Sequence, residues 1–445
     1  MSADAWAIYS PDEETPWTLQ RVVHLHRRAA FAGTWDELQR DLAAGPEKSI
    51  NRLLDGAANL HAPDRFETTA RLLFDAATSD AEIVRLKSAW FYRFLFSPHP
   101  LLEKLTLLWH EHFATANAKV DDAGLMRKQN DTLRRHAFSK FADLLNAAVR
   151  EPALLLYLDA QTNRKGHANE NLGRELMELF TLGIGNYTEV DVKEAASALT
   201  GWSVDDGQFV EIAKNHDDRE KTILGRKGAF SGTQLIELLL DRPSLADRIA
   251  RKLVRQFFGE NVVPTEALKR LADGLRDRKH DIAWAVGTVL RSRLFFSKEN
   301  IRSRVLTPVE YVVGSARALE LFDPPPSTQA MSDWSARMGQ DVFDPPNVGG
   351  WPTGRSWIHS RSLIARVNYA AAIVNGPDSG RPMAYKPAAT ASKYGFGRSA
   401  VDLLNFHHRL LFGVDPPAEV RKRLESLRPT KMVTALLASP EAQIG

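Results

Sequence analysis

Apolar residues recur at helical spacing along most of this chain, as at Leu38, Leu42, Ile50, Leu53 and Leu54 and again at Ile83, Leu86, Trp90, Phe91 and Phe94, the rhythm that buries one face of a helix. Strand-like alternation is scarce. The stretch from Leu101 to Phe113 is apolar around most of its circumference, which predicts an interior helix whose histidines are at least partly buried. Residues 122–158 read as two or three helices broken near Glu151-Pro152, and Thr188-Glu189-Val190-Asp191 has the form of a helix start, with the helix ending about Gly201. Between Trp202 and Gly228 the pattern fails, and Gln208 to Ile212 is the only plausible short strand. Helices resume from Gly232 to about Leu321. Phe343 to Trp357 holds three prolines and three glycines, so it must be a loop.

The predicted fold is therefore mainly α, a multi-helical orthogonal array or bundle with irregular loop insertions and at most a small β patch. Residues 1–375 form the main unit, interrupted by an insertion at 202–230, and residues 376–445 an irregular linker with a helical C-terminal subdomain.

Composition refines this picture by exclusion. The 445 residues, 44% hydrophobic and 25% charged, have the profile of a folded globular protein. There is no cysteine, which removes disulfides, thiolate metal sites and cysteine nucleophiles. A formal net charge of +3 argues against nucleic acid as a partner, while a pI near 8.9 leaves room for a local basic patch. No apolar run reaches the length of a transmembrane segment, and the first residues lack the core of a signal peptide. As it stands the sequence reads as cytoplasmic; a chain already trimmed of a leader would read the same and be periplasmic or exported.

The sharpest candidate chemistry lies in Asp159–Leu182. Asn169 suits the N-cap of a helix from Glu170 to Leu182, stopped by Gly183. At about 100° per residue, Glu170, Asn171, Arg174, Glu175 and Glu178 share a stripe about 140° wide, opposite Leu172, Leu176, Leu179 and Phe180. Three carboxylates, an amide and a guanidinium on one face can hold a metal ion or move protons, because neighbouring carboxylates raise one another's pKa. The competing reading is an ordinary solvated face laced by Glu170, Arg174 and Glu178 at i, i+4 spacing. His110 and His112 supply two imidazoles, but on a regular helix they point about 200° apart, so they cannot ligate one ion unless the helix ends or distorts there. His216-Asp217 in the irregular insertion is either a base with its orienter, a ligand pair or part of a hydrated loop. Phosphate loops, dinucleotide fingerprints, nucleophile elbows and zincin motifs are absent.

Several blocks together resemble one bacterial family, the domain of unknown function 1800 (DUF1800): LTLLWHEHFATANAKV, LDAQTNRKGHANENLGRELMELFTLGIGNYTEVDVKEAASALTGW, HDDREKTILG, RSRVLTPVEYVVGSAR and MGQDVFDPPNVGGWPTGRSWI, followed by Arg366-Val367-Asn368. They cover about residues 85–370 in the family's order. The family's name assigns no activity. The resemblance implies a mostly helical protein, often exported, and often encoded beside a family related to sulfatases, which makes such a protein a candidate partner. It also concentrates attention on His110, His112, Asn169, Glu170, Asn171, Arg174, Glu175, Glu178, His216, Asp217, Lys221 and Trp351.

Two functions remain open on the sequence. In the first, the chain is an enzyme with Glu170, Arg174, Glu175, His216 and Asp217 as catalytic groups. His110, His112 and Glu178 then serve as ligands of a divalent metal ion, and Asn169, Asn171, Lys221 and Trp351 hold the ligand, with hydrolysis of a glycan or ester and metal-dependent oxidation both available. In the second, it is a non-catalytic scaffold that binds a protein partner or a polysaccharide.

Overall fold

The computed structural model describes residues 5–79 and 81–445. Of these the greater part is helical, 59%, in 23 helices, with only two small antiparallel hairpins. The helices that position the site are α1 (Leu19–Ala29), α2 (Ile83–Phe96), α3 (Pro100–His112), α4 (Asn171–Glu175), α5 (Glu189–Ala198), α6 (Pro243–Phe257), α7 (Pro308–Ala318), α8 (Ser360–Asn375) and α9 (Ala400–Phe412).

Local chemistry sets most of their ends. Pro100, Pro243 and Pro308 stand in the first turns of α3, α6 and α7, where a missing N–H costs nothing. Thr188 caps α5 in a reciprocal box with Asp191, as the sequence predicts. Neither hairpin was fully legible in the apolar pattern. The first pairs Trp202–Asp205 with Gln208–Glu211 and the second pairs Lys221–Ile223 with Arg226–Gly228. Their turns, Asp206-Gly207 and Leu224-Gly225, put both residues at positive φ, between 46° and 80°, the geometry that matches strand twist in a two-residue hairpin. The Asp-Gly pair was the available signal for the first strand.

Two buried apolar clusters hold the helices together. One packs Leu101, Leu105 and Trp109 of α3 against Phe141, Phe180, Leu253 and Phe257. The other joins Val22, Trp90, Phe94, Val312 and Tyr369 to Leu404 and Phe406, so the C-terminal helices bury their faces together with those of α1 and α2. Helix α3 serves both, since Leu107 belongs to the second cluster. Each such side chain contributes roughly 1.5–3 kcal/mol on leaving water. Among the described residues no helix is long and apolar enough to cross a membrane.

Candidate functional site

The last turn of α3 sends its two imidazoles to different surroundings. His110 packs among Trp90, Phe343 and Trp351, with ring centroids 5.1, 5.2 and 5.6 Å away. Its Nε2 accepts the Phe343 N–H at 3.2 Å, and burial drives its pKa down to about 3. His112 instead lies near Phe113, Phe141 and Phe180 and donates from Nε2 to the Phe180 carbonyl at 3.1 Å. Burial, reinforced by Lys252 and Arg248, holds it neutral as well. Both rings are therefore uncharged at any ordinary pH.

The acidic helix departs from the single α-helix predicted over Glu170–Leu182. Helix α4 is one turn and a half, and Leu176–Thr181 continues it as a π-helix, a rare form concentrated at functional sites. The widened turn has specific partners: the Leu179 carbonyl accepts Arg248 Nε at 2.6 Å, the Phe180 carbonyl accepts His112, and Thr181 Oγ1 donates to the Leu176 carbonyl at 2.6 Å. Gly173 lets α4 approach α5, because a Cβ there would lie 2.9 Å from the Ala196 backbone nitrogen. The N-cap residue is Glu170 rather than Asn169, whose Oδ1 accepts the Asn171 N–H at 2.9 Å while its Nδ2 donates to Thr162.

The carboxylates divide by environment. Arg174 forks onto Glu189 at 2.9 and 2.8 Å and reaches Glu170 at 3.0 Å, all three partly or largely exposed, so this group is a surface ion pair of small energetic weight. Glu178 accepts the Tyr187 hydroxyl at 2.5 Å. Burial first, then this carboxylate, pushes the Tyr187 phenol up to about 12. Glu175 is half-buried, and burial together with the Glu178 charge raises its pKa against the pull of Arg174. The Tyr157 phenol feels the same charge: burial, then Glu175 and Asp344, push its pKa up.

The loop after Phe343 closes this region. Phe343 sits at φ 66° with no exposed surface, its carbonyl accepting the Asn117 N–H at 2.7 Å. Lys87 holds Asp341 at 2.7 Å and Asp344 at 2.9 Å. Trp351 is only 4% exposed, with its indole inside against His110. Gly350, at φ 86°, lies where a Cβ would come within 2.7 Å of the Glu111 carbonyl. Glu111 in turn pairs with Lys252 of α6 at 3.0 Å. Gly350→Ala is accordingly expected to cost about 1–3 kcal/mol in a urea unfolding titration, since it adds both left-handed strain and a clash with backbone.

The remaining sequence candidates lie elsewhere. His216 Nδ1 donates to the Thr200 carbonyl at 3.0 Å, and Asp217 pairs with Arg219 at 2.9 Å. Lys221, 1% exposed, donates to the carbonyls of Asp217 and Arg219. Asn163 ties the Asp159–Asn169 loop to this segment through Ala196 and Gly201. Among the described residues no hydrogen bond or ion pair joins His216, Asp217 or Lys221 to Glu175 or Glu178. Nor do three His, Asp or Glu side chains converge there as a metal ion requires. His110, His112 and Glu178 spend their contacts on Phe343, Phe180 and Tyr187, so this set does not fit a shared ion.

Residues 24–444 match the model of a family described as a protein of unknown function, DUF1800. The chain belongs to the DUF1800 family. No curated protein and no solved structure matches it. In this DUF1800 chain the family match takes in both apolar clusters almost entirely and every residue of the π-helix. The residues that sequence reasoning missed are Tyr157, Tyr187, Glu111, Arg248 and Lys252. For the last two a signal existed: Arg248, Arg251, Lys252 and Arg255 recur at i, i+3, i+4 and i+7, a cationic stripe on an otherwise amphipathic helix.

Proposed function

We propose that this DUF1800 chain is an acid–base enzyme in which Glu175 transfers the proton, and that its reaction is hydrolysis of a glycan or an ester. The observation that carries this reading is the pair Glu175 and Glu178, successive carboxylates at a π-helical turn set in unlike surroundings. Glu178 accepts a hydrogen bond from Tyr187, while burial and the Glu178 charge favour the protonated form of Glu175. A carboxyl favoured in its protonated form beside a second carboxyl group supplies a proton donor for the leaving oxygen of a glycan or ester.

The test is a titration of the Glu175 carboxyl group by carbon NMR, run beside turnover of aryl glycosides and aryl esters between about pH 4 and pH 8. The expected result is a carboxyl titrating above its ordinary range, with turnover falling as it ionises. A Glu175 that titrates like a free side chain, or turnover indifferent to its ionisation, overturns the reading.

One observation favours the scaffold reading. Leu363, Ile364 and Val367 leave an apolar face of α8 in solvent, next to Ile358. A protein partner from the sulfatase-related family that the resemblance implies is the occupant to test, by co-purification with the wild type and with Ile364→Glu.

A further inference from the structure

On the far side of the Glu111–Lys252 pair lies a cleft of about 690 Å³, within the range of small-molecule sites and far larger than a single ion. Its walls come from α6, from the segment 302–307 and from the end of the 343–357 loop. Six cations line it, Arg251, Lys252, Arg255, Arg302, Arg304 and Arg355, against two carboxylates, Glu111 and Glu260. Both carboxylates are already engaged, Glu111 by Lys252 at 3.0 Å and Glu260 by Arg355 at 3.8 Å. No carboxylate lies within ion-pair distance of Arg251, Arg255 or Arg302 among the described residues. The chain as a whole carries a net charge of only +3, so this concentration is local.

Two of these guanidinium groups are built into the fold rather than left waving in solvent. Arg304 is 8% exposed, and its Nε is buried without a partner although its Nη2 holds Glu310. Arg302 also has a buried, unpartnered Nε, its guanidinium lies 5.3 Å over the Phe412 ring, and its backbone stands at φ 57°. A buried donor without an acceptor costs free energy that an incoming acceptor returns. Planar guanidinium forks match tetrahedral oxyanions, and several around one cleft select a ligand with more than one such group.

We propose that this cleft binds a small molecule bearing two or more phosphoryl or sulfuryl groups, with Arg251, Arg255, Arg302 and Arg304 as the receiving residues. The site is separate from the Glu175 region and does not depend on its chemistry. Phosphorylated and sulfated compounds share the recognised group, and the test distinguishes them.

Calorimetric titration of the full chain with inorganic pyrophosphate and with sucrose octasulfate, at about 50 and about 300 mM salt, reads the binding directly. The expected result is saturable binding of at least one probe that weakens with salt. Pyrophosphate alone assigns a phosphorylated ligand and sucrose octasulfate alone a sulfated saccharide. The double variant R251A/R255A, both residues being exposed and outside the apolar clusters, should bind at least about tenfold more weakly, while K422A/R423A, which loses the same charge from an exposed helix, should bind as the wild type does. Glu175→Gln should bind unchanged. Failure of both probes to bind, or equal weakening in the two double variants, overturns the proposal.

Discussion

Replacing Glu310 with Ala is expected to remove about 3–5 kcal/mol of folding stability, a large share of the roughly 5–15 kcal/mol available to a domain. Glu310 is 4% exposed, and its Oε1 accepts both Lys104 Nζ and Arg304 Nη2 at 2.5 Å. Its Oε2 accepts the Thr307 N–H at 2.9 Å, completing the cap of α7. Lys104 is 1% exposed, and Arg27 and Arg28 lie close enough to be felt by the same carboxylate. Ala would leave those cations buried with nothing to balance them and would strip the cap. Glu310→Gln keeps the shape and the cap acceptor, so it should cost less than Ala and more than a surface change.

The same carboxylate, together with the buried and paired Glu37 and Asp41, sets the acid limit of stability. Burial pushes Glu310 up, but Arg304 and Lys104 outweigh it and hold its pKa well below the ordinary carboxylate range. A depressed folded pKa means stability that is complete above the unfolded value, about 4.3, and is lost as pH falls toward the folded one. Urea midpoints measured from about pH 6 down to about pH 3 should fall steeply in the wild type and less steeply in Glu310→Gln. A variant that keeps the wild-type midpoint throughout would show that the buried cations find another counter-charge.

Glu175→Gln is expected to lower kcat by about 10²–10⁴-fold with little change in KM, the effect of removing a proton donor from a site that still binds its substrate. It should also stabilise the protein near neutral pH. The folded pKa of Glu175 lies above its unfolded value, so protonation favours folding, and the ionised form is a liability that grows as pH rises through the folded pKa. The neutral amide lacks that liability, and its advantage should vanish below the ordinary carboxylate range. Gain of stability with loss of turnover is the signature of a group kept for chemistry. Gain of stability with unchanged turnover assigns Glu175 to the surface of a binding protein.

Much of the architecture was present in local spacing. The apolar circumference of Leu101–Phe113 marks an interior helix, and α3 is one, with Leu101, Leu105, Trp109 and His110 all 1% exposed or less. The Thr188–Asp191 box, the loop of prolines and glycines after Phe343 and the divergence of His110 from His112 follow in the same way, because caps, turns and the period of a helix are decided by residues within a few positions of each other.

The π-turn was not legible because nothing in LMELFT itself prefers it. It exists where the carbonyls of Leu179 and Phe180 meet Arg248 and His112, residues about seventy positions away in either direction. The division of the acidic stripe has the same origin. A helical wheel treats Glu170, Glu175 and Glu178 alike, while packing gives the first an arginine, half-buries the second beside the charge of the third and hands the third to Tyr187. The basic cleft lies further still from any local signal, since its cations come from α6, from residues 302–304 and from Arg355. Sequence by itself determined the helical class, the buried α3 and the family. Which charged groups are paired, which are stranded and which face a common space was decided only by tertiary packing, because desolvation and Coulomb energies depend on distance through the fold and not on separation along the chain.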